Sequence, residues 1–343
     1  MRFWILSAVG VAAVTIGACG GSNTPGFGLS GDGGTGSSGG SASGSGGSGS
    51  GGNGSSGSFG GSSGSGSGSG GGQPLIYAHT DSELYSLDPN TNQVTDIGPF
   101  SAGGGTTPTI TDLAVDGSDN VWVNSETAIY RATLPASGTG AVSLTLQTSL
   151  PSGTKFYALG FTPAGMLGSG ESLIAGDSSG SLYYVDVSTS SATPQNLGNF
   201  GSAPGGGNYE LSGDVVFYTL SGSPRGLATI RSCSSSCSTS NDYLAEVDIA
   251  AMQQAFQTKK AASSLLKQMV GSSGTGYGRL FGVGAWGNSV YAFSREGSSG
   301  SPPAQLVQIQ GSGTGTSLQT FSSITSGWSG AGVTTKANVT VVQ

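Results

Sequence analysis

The chain reads as an all-β protein, a β-propeller of five blades, preceded by a signal peptide and a disordered Gly/Ser-rich tether. Three observations predict this. Short runs of Val, Ile, Thr and Tyr bounded by Gly, Asn, Asp and Ser fill residues 74–343, and long helical patterns are nearly absent. One strand pattern recurs about every 45–60 residues, the spacing of repeated small sheets. A last apolar stretch near the C-terminus is placed to complete the first sheet and remove an open edge.

The elements follow in order. Leu84-Tyr85-Ser86-Leu87-Asp88 is echoed by Ile129–Thr133, Leu182–Asp186, Leu244–Asp248 and Leu306–Gln310. A strand precedes each copy, at Leu75–Ala78, Val121–Asn124, Leu173–Ala175, Leu227–Ile230 and Val290–Phe293. Another follows each, at Val94–Ile97, Val142–Leu146, Gln195–Leu197, Leu265–Met269 and Leu318–Phe321. Each sheet is too small to bury its own faces, so neighbouring blades must supply the core. Ala331–Thr335 is the expected inner strand of the first blade. Val339–Val342 has no free position in that scheme, which leaves six blades or a distorted first blade as the alternative. A β-sandwich or solenoid is the alternative fold.

The fourth unit carries two insertions, one after Asp248 and one holding Cys233 and Cys237. After Asp248, Ile249, Met252 and Phe256 fall on one face of a short helix that Asp248 can cap. The helix is expected to pack on the propeller rim, with Gln253, Gln254, Gln257, Lys259 and Lys260 toward water. Asp116, Asp119 and Asn120 surround Gly117. A hairpin turn explains them better than a calcium loop, because the distal bidentate Glu of an EF-hand is missing.

Before residue 74 the composition changes. Arg2 supplies a positive start and Phe3 to Ile16 an apolar run, long enough for a signal peptide and too short for a membrane span of about 20 residues. Ile16-Gly17-Ala18-Cys19 closes that run, two small residues standing before a cysteine. This resembles the lipobox of bacterial lipoproteins. The resemblance implies cleavage after Ala18, lipidation of Cys19, and stable anchoring by more than one acyl chain. Gly20 in the next position is what such proteins carry when sorted to the outer membrane. The implied address is the bacterial cell envelope, outside the cytoplasm. Residues 1–18 are then the signal peptide, 19–73 the lipidated cysteine and its tether, and 74–343 the propeller. From Gly20 to Gln73 the chain is almost entirely Gly and Ser, with Asp32 its only charge. It has too few apolar side chains to offset the entropy of ordering. Such a coil spans about 40 Å root-mean-square. Its G-x-S-x-G matches follow from composition and lack the strand-to-helix turn a nucleophile needs.

Ile110 to Val123, through Asp112, Asp116 and Trp122, resembles a blade start of NHL-type and virginiamycin B lyase-type propellers. Leu84 to Val94 is similar to quinoprotein-like repeats. These resemblances imply the propeller architecture and no particular activity.

Candidate chemistry is sparse. Cys233 and Cys237 remain as an even pair once Cys19 is lipidated. In an exported protein they are expected to form a disulfide. No histidine stands near them to complete a zinc site. His79 is the only histidine. At a strand end before Thr80 and Asp81, it is expected on the surface or rim. Asp112, on an expected inner strand, points toward the axis. The other blades show no matching ring of carboxylates, so neither an axial metal nor a cofactor is expected. A net charge of −7, with only Lys259, Lys260 and Lys267 clustered, offers no basic stripe for nucleic acid. Gly282 to Gly287 matches G-x-G-x-x-G without the helix that gives it meaning.

Aromatics are the better lead. Trp122, Tyr183, Tyr184, Tyr243, Trp286, Tyr291 and Trp328 are numerous for so weakly charged a domain, and most are expected between blades. Trp122, Trp286 and Trp328 are the candidates for contact with a protein or a sugar ring. The expected role is a non-catalytic binding module, held to the membrane by its lipid and engaging a protein or glycan of the envelope. The alternatives are a structural subunit of an envelope assembly, as in the propeller lipoprotein of the outer-membrane barrel-assembly machinery, and a lyase or hydrolase with an axial metal.

Overall fold

The computed structural model describes residues 76–233, 237, 241–295 and 303–340. The signal peptide, Cys19 and the tether lie outside the described residues. Antiparallel strands dominate, and the order of pairing gives the architecture. The first unit begins with β1 (Ile76–His79), β2 (Glu83–Asp88) and β3 (Gln93–Ser101). The second holds β4 (Asp112–Val115), β5 (Val121–Asn124), β6 (Ala128–Thr133) and β7 (Val142–Ser149). The third holds β8 (Ala158–Thr162), β9 (Ser172–Gly176), β10 (Ser181–Val185) and β11 (Gln195–Asn199). The fourth holds β12 (Asn208–Leu220), β13 (Ser223–Cys233), β14 (Tyr243–Val247) and, after α1 (Ile249–Thr258), β15 (Leu266–Val270). The fifth holds β16 (Leu280–Trp286), β17 (Ser289–Ser294), β18 (Ala304–Ile309) and β19 (Gly315–Phe321).

The last strand, β20 (Gly330–Val333), returns to the first unit and pairs with β1, Ile76 opposite Val333 and His79 opposite Gly330. Sequence reading placed this closing strand at Ala331–Thr335, one or two residues further on. Every unit therefore has four strands. The first and second units join at their outer edges, where β3 pairs in parallel with β7 through Phe100 and Val142. The inner strands β20, β4, β8, β12 and β16 neighbour one another in a closed circuit, which is the propeller.

A gradient of burial runs outward. β4, β8 and β20 are buried at every position, while β19 is exposed along most of its length. Inner strands face sheets on both sides and so carry Leu, Ala, Val and Gly without alternation. In each unit a bulge falls between the third and fourth strands, at Leu84/Tyr85, Ile129/Tyr130, Leu182/Tyr183, Glu246/Val247 and Leu306/Val307. A repeated bulge twists each outer strand away from flat edge pairing.

The core sits between units. Leu84, Leu113, Val123 and Val142 pack the first against the second, and Ile129, Phe156 and Leu173 the second against the third. Leu182, Phe217 and Leu265 join the third and fourth, together with Met252 of the helix. Trp328 fills the junction that closes the ring, edge-on to Tyr85 at 5.2 Å and to Phe293 and Phe321 at 5.4 Å. Its burial is complete. Polar staples reinforce the contacts. The Thr111 hydroxyl and Asn124 amide both donate to the Phe156 carbonyl at 2.9 Å, and the Thr229 hydroxyl donates to that of Leu280 at 2.9 Å.

Helix α1 forms as its sequence suggests. Asp248 is extended and accepts from the Ala251 amide at 3.0 Å, and Lys259 ends the helix in the left-handed region. Phe256 packs on Tyr184 at 5.0 Å. The Asp116 carboxylate accepts from the amides of Ser118 and Asn120, the Asn120 side chain and the Trp122 indole, with Asp119 at φ 61°. That oxygen-rich turn is satisfied by its own donors. Among the described residues no helix is long and apolar enough to cross a membrane.

Candidate functional site

Because the inner strands run side by side, the residues leading into them converge at one end of the axis. There they surround a funnel of about 430 Å³. Every unit contributes. Asp81 and Ser329 come from the first, Thr111 and Glu126 from the second, and Tyr157 and Ser178 from the third. Ser212 and Arg231 come from the fourth, Phe281 and Arg295 from the fifth. A second hollow of about 590 Å³ runs outward between the second and third units, lined by Pro151, Lys155, Tyr183 and Pro194. Tyr157 and Ser178 line both, so the two spaces share a wall.

Charge is distributed unevenly around the funnel. Arg231 and Arg295 stand on the adjacent fourth and fifth units. Arg231 lies 3.6 Å from Glu210, and its Nε is buried without a hydrogen-bond partner among the described residues. Arg295 lies 3.6 Å from Asp81, reaches the Ser329 hydroxyl at 3.4 Å, and sits over the Phe281 ring. Both ion pairs exceed hydrogen-bonding distance, so neither carboxylate uses up the guanidinium donors. Across the funnel, Glu126 is engaged by Lys155 at 2.5 Å.

Beneath the funnel, one residue further in, the polar groups change character. Asp112 opens β4 and Asp214 lies within the buried stretch of β12, each wholly buried and close enough for their charges to act on one another. Asp112 Oδ2 accepts from the Leu159 amide at 2.5 Å, and Asp214 Oδ2 from that of Val283 at 2.8 Å. Each carboxyl thus ties its own inner strand to the next. Burial holds both far above the ordinary carboxylate range, and the charge of Asp214 pushes Asp112 further. Two like charges in so dry a place oppose one another, which disfavours ionising both carboxyls.

His79 lies beside this pair, completely buried. The rim position expected from sequence is therefore corrected. Gly330, opposite it on the closing strand, has no side chain, and any Cβ there would run into the His79 ring and the Asp112 carboxylate. Its Nδ1 donates to the Thr80 carbonyl at 2.6 Å, which leaves Nε2 bare, 3.9 Å from Asp112 Oδ1. Burial lowers the imidazole to about 4, against smaller opposing effects of Thr80 and Asp81. The ring is neutral near pH 7, so its approach to Asp112 is not an ion pair. A ligand in the funnel meets Thr111, Gly213 and Ser329 rather than the side chains below them. Asp242 is a further buried acid, raised to about 6 by burial although the Ser212 hydroxyl and Leu280 amide bond to it.

The remaining sequence candidates are scattered. Trp328 is core, and its complete burial removes it as a contact residue. Trp122 is half-buried, edge-on to Phe161 at 5.6 Å with Arg131 over its face, and Trp286 is partly buried against the closing core. Both lie toward the strand ends away from the funnel. Cys233 and Cys237 are joined by their sulfurs. Asp112, expected to face the axis, is wholly buried beside one other acid, Asp214. Sequence reading also passed over Arg295, Phe281 and Tyr157. Their shared signal is position, at the end of a second strand or just before or within an inner one.

No protein-family model matches this chain, and no curated protein matches it. Solved structures do show similarity. One titled as a nidogen/laminin complex is 13% identical, with 76% of this chain and 97% of that chain covered at a TM-score of 0.43. A protein of unknown function from Bacteroides caccae is 8% identical, with 76% and 98% covered at 0.38. The Dos1 propeller is 14% identical, with 66% and 51% covered at 0.33.

Proposed function

We propose that this chain is a lipid-anchored, non-catalytic binding module of the cell envelope, whose propeller presents a ligand site at the funnel. The observation that carries the reading is convergence. Side chains from all five units meet around one open space, and they combine guanidinium, hydroxyl and aromatic groups. A concave site with a few convergent polar groups is the usual form of a ligand pocket. The binding reading is favoured over catalysis by the place of His79. The chain's one imidazole is sealed beneath the funnel, with its N–H used by Thr80. The buried carboxyls are occupied in tying inner strands together.

The address rests on Ile16-Gly17-Ala18-Cys19 and on the tether, which would hold the propeller off the lipid surface. Two measurements test the proposal. Palmitate labelling should mark the wild type and not Cys19→Ala, and equal labelling would overturn the anchor. Immobilised full-length protein should retain an envelope protein or glycan that the Arg231→Gln/Arg295→Gln variant does not. Equal retention by that variant would overturn the funnel as the site.

A further inference from the structure

Building on the funnel as binding site, we infer that its ligand is an acidic glycan, an oligosaccharide carrying carboxylates. One carboxylate sits against Arg231 and Arg295, and the sugar chain runs past Tyr157 into the hollow between the second and third units. The anionic end follows from the two guanidinium groups. They stand on adjacent units and face one space, with side chains 21% and 31% exposed. Among the described residues, the carboxylates paired with them lie beyond hydrogen-bond distance, and the buried Arg231 Nε has no partner. A planar fork with spare donors matches a carboxylate in two-point contact. The chain as a whole carries −7, and Asp81 and Glu126 line the funnel too, so an anion is favoured only in the sector that Arg231 and Arg295 face together.

The extended shape follows from two adjacent spaces with Tyr157 and Ser178 in common. A funnel of about 430 Å³ opening beside a hollow of about 590 Å³ exceeds what one sugar ring fills. Tyr157 forms the shared wall, and Tyr183 lies further out with its hydroxyl held by Asp177 at 2.9 Å. Flat rings flanked by short hydroxyls, here Ser178, Ser179, Thr154 and Thr193, suit stacking against pyranose faces and bonding to their hydroxyls. A peptide is less well served. The strands nearest the funnel are inner or second strands, already paired along both edges or packed inside the ring, so no free strand edge is offered for backbone addition.

Calorimetric titration of the full-length lipidated protein in detergent with three probes tests this: hexagalacturonate, its methyl ester and a hexaglutamate peptide. Hexagalacturonate should bind, with the methyl ester at least tenfold weaker. Arg231→Gln and Arg295→Gln should each weaken the acid at least tenfold and leave the ester unchanged. Tyr157→Ala should weaken hexagalacturonate and its methyl ester alike. Equal affinity for acid and ester, or tighter binding of the peptide, would overturn the acidic-glycan inference and leave the funnel standing as a site. Binding of none of the three, with envelope retention intact, would overturn the inference alone. Loss of retention in the arginine variant without any probe binding would count against this ligand class but support the funnel.

Discussion

Replacing Trp328 separates a core residue from a contact residue. The side chain is wholly buried at the seam where the ring closes, two residues before β20, with three aromatic edges against it. Trp328→Ala would lose the transfer free energy of an indole and leave a cavity between units, together about 3–5 kcal/mol. Each aromatic pair contributes about 0.5–1.5 kcal/mol beyond area, and these overlap with the first figure rather than adding to it. Set against a domain stability of about 5–15 kcal/mol, the change would remove about a fifth of it or more. Urea unfolding followed by circular dichroism is the assay. With a slope near 3 kcal/mol/M, the midpoint should fall by about 1.3 M at unchanged slope. Trp328→Phe should cost less, about 1–2 kcal/mol, because Nε1 has no hydrogen-bond partner to lose. A loss below about 1 kcal/mol for Trp328→Ala would refute the seam as described.

Two further outcomes follow from single residues. Below pH 6.5 the unfolded chain takes up a proton that His79, surrounded by Asp112, Asp81 and the Thr80 carbonyl, refuses until about pH 4. Its contribution is therefore full above pH 6.5 and lost as pH falls toward 4, by about 3 kcal/mol. Asp112 and Asp214 act with the opposite sign: raised in the fold, they lower stability as pH climbs above the ordinary carboxylate range. Urea midpoints of wild type and His79→Asn should thus differ in slope between pH 4 and 6.5, and parallel curves would contradict a buried neutral imidazole. Asp248→Ala should cost about 1 kcal/mol and speed amide exchange in α1, since the cap bond to Ala251 disappears; unchanged exchange there would remove the cap from the account.

The second, third and fourth strands of each unit were legible because alternation and turn residues are local, whereas the inner strands β8, β12 and β16 were not placed. Val121–Asn124 matches its expected bounds, and the others differ by a few residues at their ends. The helix cap at Asp248 was legible for the same reason. What escaped depends on ring closure. Trp328 precedes a glycine-rich strand, and nothing nearby in sequence shows that Tyr85, more than two hundred residues earlier, packs on it. His79 ends a strand, where exposure is the ordinary expectation. It is buried because Gly330 leaves space beside Asp112. Asp112 and Asp214 meet only because the second and fourth units face one another across an axis. The funnel was hidden for a related reason: Tyr157, Arg231 and Arg295 occupy comparable places in different units and become neighbours only after the circle forms.

The most direct measurement places a bulky maleimide at either end of the axis. Ser178→Cys lies at the funnel, and Ser118→Cys lies exposed in the turn beyond the other end of β4. Modification at position 178 should abolish retention of the envelope ligand, and modification at 118 should leave it intact. Retention unaffected at 178, or lost only at 118, would show that ligand approaches elsewhere.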